Sequence, residues 1–106
     1  MGVWGMGTSI KSAAFMLERF LSDAAAGKAD ALYQLGVAYS TGIGGVAVDL
    51  IEAHKWFNLA ALSGSVSGQE CRAEIAEEMT AREIAEAQRQ ARAWLAQTGG
   101  TFSRAA

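Results

Sequence analysis

The chain has no proline, one cysteine and one histidine among its 106 residues. Without proline no position is forced to kink or stop a helix, so glycine must mark the ends of the elements. The lone Cys71 excludes an internal disulfide framework and a zinc site built from several cysteines. A net charge of −2 and a pI near 5.3 provide no general attraction to nucleic acid or to anionic membranes. At 51% hydrophobic residues the chain is too apolar to be disordered, and its length fits a single domain.

Residues 31–48 carry no charge over a length close to that of a membrane span. They contain four glycines, however, and each glycine inside a helix costs about 0.5–1 kcal/mol relative to alanine. We therefore predict a buried helix followed by a loop in this stretch. The apolar N-terminus lacks the leading positive charge of a signal peptide, since Lys11 follows the apolar residues, and we expect a cytoplasmic protein.

Hydrophobic periodicity predicts an all-α chain of five helices. Residues 1–8 are interpreted as an apolar N-terminal arm, residues 9–98 as the helical domain with a C-terminal capping helix, and residues 99–106 as a flexible tail. The predicted helices run from Thr8 or Ser9 to Ala26, from Lys28 to Gly42, from Asp49 to Ser63, from Ser67 to Met79, and from Thr80 to Gly99.

Two helix starts carry specific capping signals. The carboxylate of Asp49 can accept the free N–H groups of the first turn of the third helix. The sequence Thr80-Ala-Arg-Glu83 has the spacing of a capping box, in which each side chain bonds the other residue's backbone N–H. These signals predict where the third and fifth helices begin.

A weak internal repeat of 37 residues aligns the end of the first helix with the end of the third. A period in this range is typical of stacked helical hairpins, in which no single unit buries its own apolar face. The aligned pairs are Phe20 with Phe57, Ala24 with Ala61, and Gly27 with Gly64.

A larger set of apolar, small and glycine residues at fixed spacing resembles the Sel1-like repeat, a relative of the tetratricopeptide repeat. The resemblance covers one full repeat at about residues 31–64, with degraded units on both sides. It implies a short right-handed solenoid of antiparallel helix pairs, and we interpret the fourth and fifth helices as a divergent C-terminal cap. The positions that carry the resemblance are Ala31, Leu35, Gly36, Tyr39, Gly42, Gly44, Val46, Asp49, Ala53, Trp56, Phe57, Ala60, Ala61 and Gly64.

No motif for catalysis or for metal binding is present in the sequence. His54 is interpreted as a surface or hydrogen-bonded structural residue, because a metal site needs two or three converging ligands. Cys71 shares an apolar stripe with Ile75 and Met79, which predicts a buried thiol. A hydrolase that uses Cys71 and His54 is a remote alternative. We expect no enzyme, no metal, no cofactor and no small-molecule substrate.

Glutamates and arginines alternate over the last third of the chain, from Arg72 to Arg92. Their helical spacing predicts a solvated face with ion pairs between residues four apart. The basic residues are too few and too interspersed for a nucleic-acid surface.

The family resemblance implies a module that binds other proteins, with the first helix of each pair lining a concave side. On the second helix Tyr33, Gln34 and Val37 point away from the predicted core stripe, and we expect them to contact a partner. The alternative is that these three residues pack on neighbouring helices.

The N-terminal end has few polar positions, because an apolar arm with Trp4 and Met6 precedes an apolar first helix. We expect this end to be covered by a second copy or by another protein, with Trp4 and Met6 in the contact. The favoured function is a non-catalytic adaptor or accessory subunit of a larger bacterial complex. The alternative is a peripheral accessory of a membrane assembly that docks through its N-terminal arm.

Overall fold

The structure is a computed structural model that describes the backbone of residues 2–99 and the side chains of residues 14–99. This part of the chain is all-α, with no strand, which confirms the predicted class. A single 3₁₀ turn, Ile43–Gly45, follows the second helix. The helices are α1 (Gly2–Ala25), α2 (Ala29–Thr41), α3 (Leu50–Leu62), α4 (Val66–Ala76) and α5 (Ala81–Gln97).

Helix α3 lies at the centre of the fold and packs against α2, α4 and α5, while α1 packs against α2. Four large side chains from α2 and α3 are at most 2% exposed. Small residues extend the core to the outer helices, since Ala24 of α1 and both Ala87 and Ala91 of α5 are buried. The shielded large side chains are Leu32, Leu35, Phe57 and Leu59.

Close approach of α2 and α3 depends on Gly36. A Cβ atom at this position would lie 2.8 Å or less from three ring atoms of Phe57. The same kind of contact joins α3 and α4, where a Cβ on Gly68 would lie 2.8 Å from Cβ of Ala60 and 3.1 Å from the carbonyl oxygen of Phe57. Both helix pairs therefore require a residue without a side chain at the crossing point.

The predicted caps of α3 and α5 are confirmed. The Asp49 carboxylate accepts hydrogen bonds from the backbone N–H groups of Ile51 and Glu52, at 3.0 and 3.2 Å. Thr80 and Glu83 form the complete capping box. These bonds satisfy N–H groups that have no partner within the first turn of a helix.

The start of α1 and the bounds of α4 differ from the sequence prediction. Helix α1 begins at Gly2 instead of Thr8 or Ser9, so the backbone of residues 2–8 continues the first helix. Helix α4 begins at Val66, where the Ser65 hydroxyl accepts from the N–H of Gly68, and it ends at Ala76, before Met79. The tail beyond Gly99 lies outside the described residues, and the division into arm, domain and tail stays a prediction.

The buried face of α4 was also predicted wrongly. Cys71, Ile75 and Met79 are each half-buried, and the buried residue of this helix is Gly68. Burial on α4 is set by the close crossing with α3 and not by the apolar stripe. No helix in the described part of the chain is both long and apolar enough to span a membrane.

Candidate interaction surfaces

The buried stripe of α2 determines which of its side chains reach the surface. Leu32, Leu35 and Gly36 face the core, so Gln34 lies on the outer side of the helix. Of the three residues predicted to contact a partner, Gln34 is exposed, and Tyr33 and Val37 are half-buried. Helix α2 therefore presents a mixed polar and apolar surface at these three positions.

Tyr33 bridges three helices. Its ring packs on Phe57 of α3, with ring centroids 5.7 Å apart and a tilt of 49°. Its phenol also interacts electrostatically with the side chain of Cys71 on α4. The negative charge of an ionised Cys71 is the largest cause that raises the pKa of the Tyr33 phenol, and the charge of Glu74 acts in the same direction. Part of Tyr33 thus packs on neighbouring helices, as the alternative interpretation expected.

Gln34 lies on the wall of a groove between the end of α1 and the start of α2. The groove has a volume of about 450 Å³. Asp23 and Lys28 form an ion pair across the α1–α2 turn, at 3.5 Å, so the wall carries both charges. The residues that line the groove are Phe20, Asp23, Lys28, Ala29, Asp30, Ala31 and Gln34.

The outer side of α1 continues this groove. A smaller depression of about 220 Å³ is lined by Met16, Arg19, Phe20 and Asp23, so the two cavities share Phe20 and Asp23. Phe15 is 61% exposed and Met16 is 53% exposed. The side chains of Trp4 and Met6, the other two predicted contact residues, lie outside the described residues.

His54 is buried, with 3% of its surface exposed, and Nδ1 has no hydrogen-bond partner in the described part of the chain. The predicted surface position is therefore wrong, and the predicted hydrogen bond is not formed at Nδ1. Burial lowers the pKa of His54, and the nearby guanidinium of Arg72 lowers it further. Nη1 of Arg72 donates a 2.6 Å hydrogen bond to Oδ1 of Asn58, one turn along α3 from His54.

The residues named for a remote hydrolase alternative do not form a catalytic pair. Within residues 14–99, Nδ1 of His54 has no hydrogen-bond partner, so it does not bond the Cys71 thiol. Nucleophilic catalysis by a thiol requires a base within hydrogen-bond reach of the sulfur. Over the described ranges, no three acidic, histidine or cysteine residues are arranged to hold a metal ion.

A polar and aromatic cluster joins α3 to α5, and sequence reasoning missed it. Glu52 accepts hydrogen bonds from Lys55 at 2.9 Å and from Nε1 of Trp56 at 3.0 Å. Lys55 lies 4.6 Å from the Trp56 ring centroid, and Trp94 of α5 meets that ring edge-on at 4.8 Å. Lys55 and Trp56 follow Glu52 by three and four residues on α3, and this helical spacing could have predicted both contacts.

The acidic and basic residues of α4 and α5 form fewer pairs than predicted. In the described part of these helices the one ion pair joins Glu86 and Arg89, three residues apart and not four. Hydrogen bonds from Arg89 and Gln90 lower the pKa of Glu86 to about 2. Glu74, Glu77 and Glu78 are exposed, as a solvated face requires.

The comparisons with known proteins identify one segment of the chain. The family model of the Sel1 repeat matches residues 29–65, which comprise α2, the glycine-rich loop of residues 42–49, α3 and the turn to α4. No curated protein and no solved structure matches the chain. Sel1 repeats generally mediate protein–protein interaction. Residues 29–65 of this chain are therefore similar to the Sel1 repeat.

Proposed function

We propose that the protein is a cytoplasmic adaptor or accessory subunit of a larger bacterial complex, and that it binds another protein through the outer face of α2. The observation that carries this proposal is the Sel1 repeat at residues 29–65, because such repeats generally bind proteins. Tyr33, Gln34 and Val37 are the proposed contact residues. The partner is another protein or a second copy of the chain.

The local structure of α2 supports this role. Its inner face packs closely on α3 where Gly36 meets Phe57, and the ring of Tyr33 also packs on Phe57. A binding surface on a preorganised helix loses little conformational entropy when a partner docks. Tyr33 contributes an aromatic ring of limited freedom, and exposed Gln34 contributes a polar group with both hydrogen-bond donors and acceptors.

We propose that this role is non-catalytic. The described surfaces offer docking faces of mixed polarity, and among residues 14–99 the one buried titratable group is His54, whose pKa the charge of Arg72 on α4 lowers. No observation favours the hydrolase alternative. The membrane-assembly alternative depends on Trp4 and Met6, whose side chains are not described.

Site-specific photo-crosslinking tests this function. A photoreactive phenylalanine analogue is placed at Val37 of the full chain, in cells of the source organism, and at Gln88 on the exposed outer side of α5 as a matched control. We expect a crosslinked protein of defined mass from position 37 and none from position 88. Equal crosslinking at both positions, or no crosslinking at either, would contradict the proposal.

A further inference from the structure

A small cavity lies between α3 and α5, beside the polar and aromatic cluster that joins these two helices. Its volume is about 190 Å³. Lys55 of α3 lines one side, and Arg89 of α5 lines the other together with four residues that follow it by one, four, five and eight positions. This spacing places all five residues on one face of the helix. The four are Gln90, Ala93, Trp94 and Gln97.

Both charged residues that line the α3–α5 cavity within the described part of the chain are cations. Lys55 provides an ammonium group and Arg89 a guanidinium group. Each cation has an acidic partner, Glu52 for Lys55 and Glu86 for Arg89, but neither acid lines the cavity. The cavity therefore presents positive charge, while the negative charges lie outside its wall.

Each cation keeps hydrogen-bond donors that its acidic partner does not use. Nζ of Lys55 carries three N–H donors, and Glu52 accepts from it at 2.9 Å. Nε and Nη2 of Arg89 donate to Glu86 at 2.8 and 2.6 Å, which leaves Nη1 for another acceptor. The amide of exposed Gln97 adds further donors. The cavity can thus donate to a ligand from both of its sides.

Lys55 is held in place by two contacts on α3. Its ammonium group bonds Glu52 and lies 4.6 Å from the Trp56 ring centroid, and its side chain is 13% exposed. A cation that is already held loses little conformational entropy when an anion binds beside it. Trp94, which meets Trp56 edge-on at 4.8 Å, adds an aromatic wall to the cavity.

We propose that the α3–α5 cavity binds the carboxylate of a glutamate or aspartate side chain from another polypeptide. The carboxylate lies between Lys55 and Arg89, and the methylene groups of the bound side chain lie against Trp94. A carboxylate fits these donors because its two oxygens accept several hydrogen bonds and match the plane of a guanidinium group. The cavity is smaller than the roughly 300 Å³ of sites for drug-sized ligands, so its size suits a single side chain.

This proposal rests on the proposed interaction role, because a polypeptide supplies the carboxylate. It adds the chemistry of one contact and uses no residue of α2. Gln88, the crosslinking control, precedes Gln97 by nine positions, which is about two and a half helical turns. Gln88 therefore lies on the opposite side of α5 from the cavity.

An NMR titration of the full chain tests the site. The probe is glutamate blocked as an N-acetyl N-methylamide, so that the side chain carries its only charge, and the matched probe is the same derivative of glutamine. We expect the glutamate probe to bind with a Kd of about 1–10 mM and to shift the side-chain amide signals of Gln90 and Gln97. The signals of Gln69 and Gln88, exposed and outside the cavity, should not move. The glutamine probe should cause no saturable shift, because it lacks the charge.

Two arginine variants separate the cavity from the general charge of the protein. Arg89→Gln should weaken binding about fivefold, the effect of one exposed ion pair. Arg92→Gln removes the same charge from an exposed position outside the cavity, and it should change the Kd by less than about twofold. The Arg89 side chain is 61% exposed, so we expect the variant to keep its helical circular dichroism. If it does not, the comparison of the two probes on the unmodified chain decides the outcome.

Several results would overturn the proposal. These are equal binding of the two probes, no saturable shift, or equal Kd values for the Arg89→Gln and Arg92→Gln chains. Binding of succinate or inorganic phosphate at least about tenfold tighter than the glutamate probe would assign the cavity to a free anion.

Sedimentation equilibrium of the unmodified and Arg89→Gln chains identifies the polypeptide that supplies the side chain. Self-association that Arg89→Gln abolishes assigns it to a second copy, and equal masses of the two chains assign it to a different protein. Crosslinking from Val37 is independent of these results, so the interaction role can stand when the carboxylate site fails.

Discussion

Replacement of Gly36 by alanine tests the packing on which the repeat depends. The new Cβ atom would lie 2.8 Å or less from three atoms of the Phe57 ring, which is 2% exposed. The ring cannot move outward freely, because Tyr33 packs against it at 5.7 Å. Forcing one extra carbon into a packed core costs about 1–3 kcal/mol.

A second effect of the same substitution has the opposite sign. Alanine stabilises the interior of a helix by about 0.5–1 kcal/mol relative to glycine. The collision outweighs this gain, so we expect Gly36→Ala to lower the free energy of unfolding by about 1–2 kcal/mol. For a domain of this size, Tm should fall by about 4–8 °C for each kcal/mol.

The assay is urea unfolding followed by tryptophan fluorescence, with a double-mutant cycle as the control. Phe57→Leu alone should destabilise the protein, because it leaves a cavity in the core. In the double variant the smaller leucine makes room for the new methyl group, so the combined loss should be less than the sum of the two single losses. A Gly36→Ala variant that is more stable than the unmodified chain would refute the reasoning.

Three further predictions concern caps and the buried histidine. Asp49→Ala should cost about 1 kcal/mol in urea unfolding because two N–H groups lose their acceptor, whereas Asp49→Asn should keep most of the stability. Thr80→Ala should cost about 1 kcal/mol and speed amide hydrogen exchange in the first turn of α5; unchanged exchange there would contradict the role of the capping box. Folding lowers the pKa of His54 from its ordinary value of 6.5. Just below pH 6.5 the imidazole of His54 is therefore protonated more fully in the unfolded chain than in the folded one. Stability should therefore be complete above pH 6.5 and decline as the pH falls below it, and His54→Leu should remove this part of the decline between unfolding curves at about pH 7.5 and about pH 5.5.

Signals within one turn of a helix could be read from the sequence. The caps at Asp49 and Thr80 depend on residues two or three positions away, and the glycine at the end of α2 requires a positive φ of 84°. The match of Gly36 with Phe57 could be expected only from the repeat pattern, because it joins two helices. Local chemistry and the repeat together therefore predicted most of the fold.

Contacts between elements that are distant in sequence were harder to predict. His54 is buried beside Arg72 of α4, and the spacing of apolar residues on α3 does not show that another helix covers this side. The end of α4 before Met79 follows from the turn that leads into the Thr80 cap. The groove at Phe20 depends on how α1 meets α2, and its one sequence signal is the alignment with Phe57.

The most direct test of the account is to identify, by mass spectrometry, the protein that crosslinks to a photoreactive phenylalanine analogue at Val37 of the full chain. Because the outer face of α2 is the proposed contact surface, the same protein should also crosslink to the analogue at the exposed position Gln34. The account predicts one protein from both positions and none from the exposed Gln88 of α5. Crosslinking of the same protein from Gln88 would contradict the account.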